Sequence, residues 1–354
     1  MNRNDFALLL PALPQRAEIL ILRPRSLGDI ILETPAIAAL HAWRPDLRIC
    51  VLVEPRFAAA LEGNPAISEV LFSADFAPTI AAIRRHRFPI VFNQHGGPRS
   101  AWLAAASGAR HRVCWRRFQF SFLYNARVPD AAEFYGTPFV HTVEHRISQF
   151  YAAGLPRGPI PRAQVLPQLS AIESAARILA VCGIQPGQDY AVLQPGARLP
   201  GMRWPVSGFA AVARWLREAR GIASVVNLSA RDAAIAEDVR RELTGVASMP
   251  APPTVPELIA LISRARLFIG NDSGPVHIAA ATGCPSVVVY GVTNPAQWRP
   301  WQAEHRAIHT GARFRAPRGD KHILLSETRP ISAISVDEVC EACEDLLSAP
   351  VGRN

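Results

Sequence analysis

The 354-residue sequence predicts an α/β protein of two similar domains, each a parallel sheet crossed by helices. Three observations predict it. Short apolar runs alternate with segments of helical spacing from residue 17 onward. The alternation stops at 154–168 (GLPRGPIPRAQVLPQ), which holds four prolines and two glycines, and restarts at 190. The stretch 268–291, FIGNDSGPVHIAAATGCPSVVVYG, reads as strand, tight polar turn, helix and strand.

The elements follow in order. Residues 17–23 (AEILILR) form a continuous apolar strand, 24–29 a turn containing Gly28, and 30–43 a helix. A strand at 48–53 and a helix at 55–62 come next, then a strand at 89–93 that ends at His95-Gly96-Gly97. Parallel pairing of such strands requires the intervening crossovers. Past the linker, a strand at 190–194 leads to Pro195-Gly196, a helix spans 207–219 and a strand 223–228. A charged helix occupies 231–243 and an apolar one 255–263. The run at 267–269 stops at Gly270, and 271–274 (NDSG) are turn and cap residues. Pro275 suits the first helical position, Gly283 ends the helix, and 285–290 is a β-branched buried strand. Residues 313–332 read as a long loop and 336–347 as a last amphipathic helix. The domains are expected at 1–157 and 165–334.

Composition bounds the function. With 49% apolar and 19% charged residues the chain is globular. No apolar run approaches the ~18–20 residues of a membrane span. Asp5 and two prolines spoil the N-terminal patch as a signal peptide. Cysteines at 50, 114, 182, 284, 340 and 343 do not make a disulfide framework, and a reducing cytoplasm fits them. The net charge of +9 is uneven: between 76 and 129 there are nine arginines and no acidic residue. Such a half invites an anionic partner, a phosphorylated lipid or membrane surface, unless it is a solvated face. Trp115, Phe118, Phe120, Phe122 and Tyr124 lie among these arginines. No helix-turn-helix, zinc-finger or RNA-recognition pattern accompanies them, so nucleic acid is set aside.

In sheets of this kind ligands bind beyond the carboxyl ends of the strands, which places the site in the cleft between the two domains. Asp29 stands just after the first strand, placed to take a proton from an attacking hydroxyl or to cap the following helix. The helix start near 274 carries unpaired amides and the positive dipole end, a ready site for phosphate, bordered by Asp272, Ser273 and His277. An ordinary capped helix is the alternative. Gln194 and Gly196 open a second such turn, where Arg198 and Arg203 would clamp a diphosphate. Asp232 would accept from ribose hydroxyls or serve as a charge at a helix start. His141-Thr-Val-Glu144-His145 matches the H-x-x-E-H zinc pattern, with no clear third ligand, so a zinc hydrolase is a minor alternative. Cys340 and Cys343 form a lone CxxC inside an amphipathic helix, better read as packing. No Asp-x-Asp pair suggests a metal-held sugar nucleotide.

Taken together, the segments 19–40 (ILILRPRSLGDIILETPAIAAL), 92–110 (FNQHGGPRSAWLAAASGAR), 193–205 (LQPGARLPGMRWP) and 270–301 (GNDSGPVHIAAATGCPSVVVYGVTNPAQWRPW) resemble the bacterial heptosyltransferases of glycosyltransferase family 9 nearly end to end. The resemblance implies a GT-B fold, two Rossmann-like domains facing a cleft, with the last helix (335–354) packing back on the first domain. It implies inverting, metal-independent transfer of heptose from ADP-heptose to a Kdo-bearing lipid A or heptosyl acceptor of the lipopolysaccharide inner core. No cofactor is called for. Asp29 would be the general base. Gln194, Gly196, Arg198, Arg203, Asp232, Asp272, Ser273, Gly274 and His277 would bind the donor, and Arg25, Ser26, His95 and Arg99 the acceptor. The protein would sit in the cytoplasm, in peripheral contact with the inner membrane. One departure stands out. The family commonly reads Lys-x-Trp-Pro where this chain has Met202-Arg203-Trp204-Pro205. It motivates two alternatives: a related transferase using another nucleotide sugar, or a non-catalytic paralogue that binds phosphorylated glycolipid.

Overall fold

A computed structural model describes residues 6–318, 321–326 and 329–348. It divides into two compact units that part at Gln164 and Val165, with Pro317, Arg318 and Lys321 grouped with the first.

The first unit is built on six strands: β1 (Glu18–Leu22), β2 (Arg48–Val53), β3 (Glu69–Phe72), β4 (Ile90–Asn93), β5 (His111–Trp115) and β6 (Ala126–Val128). Their order is β3-β2-β1-β4-β5-β6 and every pairing is parallel. β1 and β2 read as nearly unbroken apolar runs because helices cover both faces of a parallel sheet. The chain reverses its direction of travel between β1 and β4, where Leu22 pairs with Asn93. That switch point is where an open α/β sheet leaves a crevice beyond its carboxyl edge.

The second unit carries β7 (Tyr190–Gln194), β8 (Ala223–Val226), β9 (Leu267–Asn271), β10 (Ser286–Tyr290) and β11 (His305–His309), again all parallel. The order β11-β10-β9-β7-β8 is the other common doubly-wound arrangement, with its switch between β7 and β9. Both units are therefore Rossmann-like, as the sequence predicts. Among the described residues no helix is long and apolar enough to cross a membrane.

Three expectations change. The segment 313–332 is not a plain loop: β12 (Arg313–Arg318) and β13 (Lys321–Ser326) pair as a two-stranded sheet. The predicted helix at 55–62 is a 3₁₀ turn at Pro55–Ala60, and the predicted helix at 231–243 opens with another at Ala230–Ile235. The last helix, Val336–Ser348, packs within the second unit. Its apolar stripe of Val339, Ala342, Cys343 and Leu346 belongs to the second unit's core with Val287, Val289 and Leu216. Arg266 fastens its end through Leu347 O at 2.9 Å. Cys343 lies in that core and Cys340 against it, so the CxxC pair is packing. Residues 349–354 of the predicted segment lie outside the described residues.

Candidate active site

In the first unit the residues gather at the β1/β4 switch. Asp29 lies in the short helix Leu27–Ile31. Ser26, before it, holds a left-handed backbone (φ 72°, ψ 115°) that a non-glycine residue adopts only when its surroundings enforce it. The turn aims the Asp29 carboxylate at two buried arginines that the sequence reading missed. Arg23 Nη2 is 2.5 Å and Arg146 Nη2 is 2.8 Å from Asp29 Oδ1. Both guanidinium groups also donate to the carbonyl of Gln94, Arg146 at 3.1 Å. Arg23 comes from the end of β1 and Arg146 from the helix Thr142–Ala152.

Electrostatics follow from this packing. Burial pushes Asp29 up, but the charges of Arg23 and Arg146, with the hydroxyl of Ser26, overcome it and hold the carboxyl well below the usual range. Four residues on, Glu33 is 1% exposed and neither carboxylate oxygen has a hydrogen-bond partner. Burial pushes it up to about 7, against the pull of Arg146 and Arg23.

The other first-unit candidates are less uniform. His95 follows β4; its Nδ1 accepts from Gly97 N at 3.2 Å, and burial, with the Arg23 charge, pushes it down to about 4, so the ring is neutral. Ser26 and Arg25 are exposed at the rim, Arg25 paired with Glu54 at 2.7 Å. Arg99 is exposed and donates to Ala74 O. Of the nine arginines, Arg116 and Arg117 pair with Glu133 and Asp130, and Arg112 holds the carbonyls of Leu123 and Ala109. The other six arginines are exposed, as are Phe72, Phe76, Trp102 and Phe122.

The HTVEH motif resolves into a helix start. His141 is the N-cap, accepting from Val143 N at 3.2 Å, while Glu144 accepts from His141 N at 3.0 Å. His145 stacks on Trp115 at 4.1 Å. The spacing that suggests zinc thus serves a capping box, and the useful residue of the segment is its neighbour Arg146. The one grouping of metal-type side chains found among the described residues is Cys50, Glu69 and His86. There burial pushes the Cys50 thiol up to about 12.

In the second unit four βα turns converge at the β7/β9 switch. The helix Gly274–Thr282 follows β9. Ser273 is its N-cap, yet its hydroxyl donates to Asn271 O at 3.1 Å and makes no side-chain cap. The first-turn amides therefore have no side-chain acceptor. Asn271 ties two turns together: its Oδ1 accepts from Trp204 N at 3.0 Å and its Nδ2 donates to Pro195 O at 2.7 Å. This buried staple was read from sequence only as a turn residue. Asp272 is buried, which pushes its carboxyl up to about 6. His277 is buried one turn into the helix, with its ring 6.3 Å from that of Trp298.

Gln194 ends β7, donates to Gly196 O at 3.2 Å and accepts from Asn227. Gly196 must be glycine, because a Cβ there would overlap Asp232 Oδ1. Asp232 closes a capping box with Ser229, accepting at Oδ2 from its amide and hydroxyl, both at 2.8 Å. Arg203 Nε donates to Ala197 O at 2.8 Å, while Arg198 is exposed. Met202 is 7% exposed, so the position where the resemblance leads one to expect lysine is here a packed apolar side chain.

Comparison with known proteins agrees with this fold. The family model for glycosyltransferase family 9 (heptosyltransferase) matches residues 79–323. Lipopolysaccharide heptosyltransferase 3 of Escherichia coli strain K12 is 28% identical over 343 residues, covering 90% of this chain and 95% of that protein. The crystal structure of a glycosyl transferase family 9 protein from Veillonella parvula DSM 2008 superposes with a TM-score of 0.80 at 22% identity, covering 97% and 99% of the two chains. That of E. coli ADP-heptose lps heptosyltransferase II gives 0.76 at 22% identity over 93% and 98%. The family model covers more than half of the chain, and with two doubly-wound units beside it the chain belongs to glycosyltransferase family 9, the heptosyltransferase family.

Proposed function

We propose that this protein is an inverting, metal-independent transferase that moves heptose from ADP-heptose to the inner core of lipopolysaccharide, onto a Kdo-lipid A or heptosyl acceptor. The observation that carries the reading is the helix start at Ser273 and Gly274: its amides have no side-chain cap, and it opens at the sheet's switch point. The donor's diphosphate would lie there, with Arg198 and Arg203 beside it and His277 near the sugar. Asp232, with Oδ2 held by Ser229, would offer Oδ1 to the ribose. Gln194 and Gly196 would shape the floor of that turn.

In the reaction a hydroxyl of the acceptor attacks the anomeric carbon from the face opposite the diphosphate. Its proton passes to Asp29, the carbon–oxygen bond to the diphosphate breaks, and ADP departs. Positive charge grows on the sugar ring and negative charge on the leaving group. The amides of Ser273 and Gly274 and the two arginines would stabilise the latter. Arg25, Ser26, His95 and Arg99 would hold the acceptor. The exposed arginines and aromatics of the first unit fit its phosphates and an anionic membrane surface, which supports peripheral association at the cytoplasmic face of the inner membrane.

Met202 supports a second reading, transfer from a different nucleotide sugar. Thermal-shift measurements with ADP-, GDP- and UDP-sugars separate the two. The heptose reading expects stabilisation by ADP and ADP-heptose above the others; no response to adenine nucleotides would refute it.

A further inference from the structure

We infer that Glu33 is a positioning residue for Asp29: it competes for the Arg146 guanidinium that Asp29 shares, and its charge state sets how strongly Asp29 is held. The inference deepens the proposed function and rests on Asp29 being the base.

A base wedged between two arginines is ionised but weak, because the charges that keep it ionised also oppose its taking a proton. The geometry supplies a relief. Arg146 spends Nη2 on Asp29 at 2.8 Å and Nη1 on Gln94 O at 3.1 Å, which leaves Nε. That Nε has no hydrogen-bond partner and stands 3.9 Å from Glu33 Oε2, which also has none. A small shift of the guanidinium would bring the two to hydrogen-bond distance. The charged groups facing Glu33 are Arg146 from the helix Thr142–Ala152, Arg23 from the end of β1, and Asp29 from its own turn. Two cations and one carboxylate leave an excess positive charge that an ionised Glu33 would balance.

The sign follows directly. Burial raises Glu33 to about 7, so below that pH it is neutral and both arginines act on Asp29. Above it, Glu33 is an anion that draws Arg146 toward itself and adds its own negative potential at Asp29. Both effects raise the basicity of Asp29, which stays ionised throughout. Turnover should therefore climb as Glu33 loses its proton.

The test uses the full chain as wild type, Glu33→Gln and Glu33→Asp. It measures kcat for transfer from ADP-heptose across about pH 5.5 to 9, and the ¹⁵N resonance of Arg146 Nε over the same range. Wild type should gain roughly three- to tenfold in kcat through one ionisation near neutrality. Glu33→Gln should stay at the low plateau, and Glu33→Asp should recover a climb. The Arg146 Nε resonance should move with the wild-type midpoint and stay still in Glu33→Gln. A Glu33→Gln profile that keeps the climb, or an equal loss at every pH with a lowered melting temperature, would overturn the inference. Absence of any transfer by wild type would count against the heptose reading alone, and the Arg146 resonance would still decide the role of Glu33.

Discussion

Arg146 and Asp29 are 117 residues apart in sequence and joined by a 2.8 Å hydrogen bond. The pair stitches the helix Thr142–Ala152 to the turn after β1, with side chains 9% and 17% exposed. Removing the cation alone strands a buried carboxylate, typically at a cost of about 3–5 kcal/mol. Arg146→Met is expected to lower stability by roughly 3 kcal/mol in urea unfolding at neutral pH. A loss under about 1 kcal/mol would mean that Arg23 alone suffices for Asp29.

Glu33 makes a separate prediction about stability. Its carboxyl is raised from 4.5 to about 7, so between those values the native state keeps a proton that the unfolded chain has lost. Stability from this group is full below about 4.5 and is lost as pH rises through about 7, by roughly 3 kcal/mol. Asp29 is ionised in both states over that window and does not contribute. Glu33→Gln lacks the loss, so its urea midpoint should gain on wild type as pH increases from about 5 to 8. Parallel pH curves for the two proteins would contradict the assignment.

Asn271 ties the turn after β9 to the turn after β7. Asn271→Ala strands the Trp204 amide and the Pro195 carbonyl in a buried site, each worth about 1–3 kcal/mol. The variant should lose roughly 2–4 kcal/mol of stability and bind ADP at least tenfold more weakly by calorimetry. Unchanged ADP affinity would show that the two turns need no common anchor.

Arg198 and Arg203, the proposed diphosphate clamps, should separate by their attachments. Arg203 supports its own loop through Ala197 O, whereas Arg198 is exposed. Arg198→Ala is expected to weaken ADP binding about tenfold with an unchanged melting temperature, the size of one charge-assisted hydrogen bond. Arg203→Ala should lower both. Equal effects on melting temperature would remove the distinction.

Much of this arrangement was legible in the sequence because it is local. The strand at β1, the RSLGD turn, and the strand–turn–helix at 267–282 each announce themselves within one or two dozen residues. What escaped is what the fold assembles from afar. Arg146 sits inside a segment whose histidines drew the eye to zinc, and nothing in the spacing links it to Asp29. Glu33 looks like one polar residue on an amphipathic helix, and its burial exists only once Arg23 and Arg146 close over it. Asn271 passes for a turn residue until Trp204 and Pro195 meet it. The stripe of the last helix from Val339 to Leu346 suits any apolar sheet face, and only the fold shows that the second unit's core takes it.

The central claim is that Asp29 takes the proton of the attacking hydroxyl while the second unit binds the donor independently. Asp29→Asn keeps the shape and an acceptor for the buried arginines, and removes the base. The decisive measurement is single-turnover transfer from ADP-heptose to a Kdo-lipid A acceptor by wild type and Asp29→Asn, with ADP affinity measured on both. The account predicts a loss of at least about a hundredfold in the transfer rate with ADP affinity unchanged. Transfer by Asp29→Asn within a few-fold of wild type would contradict it.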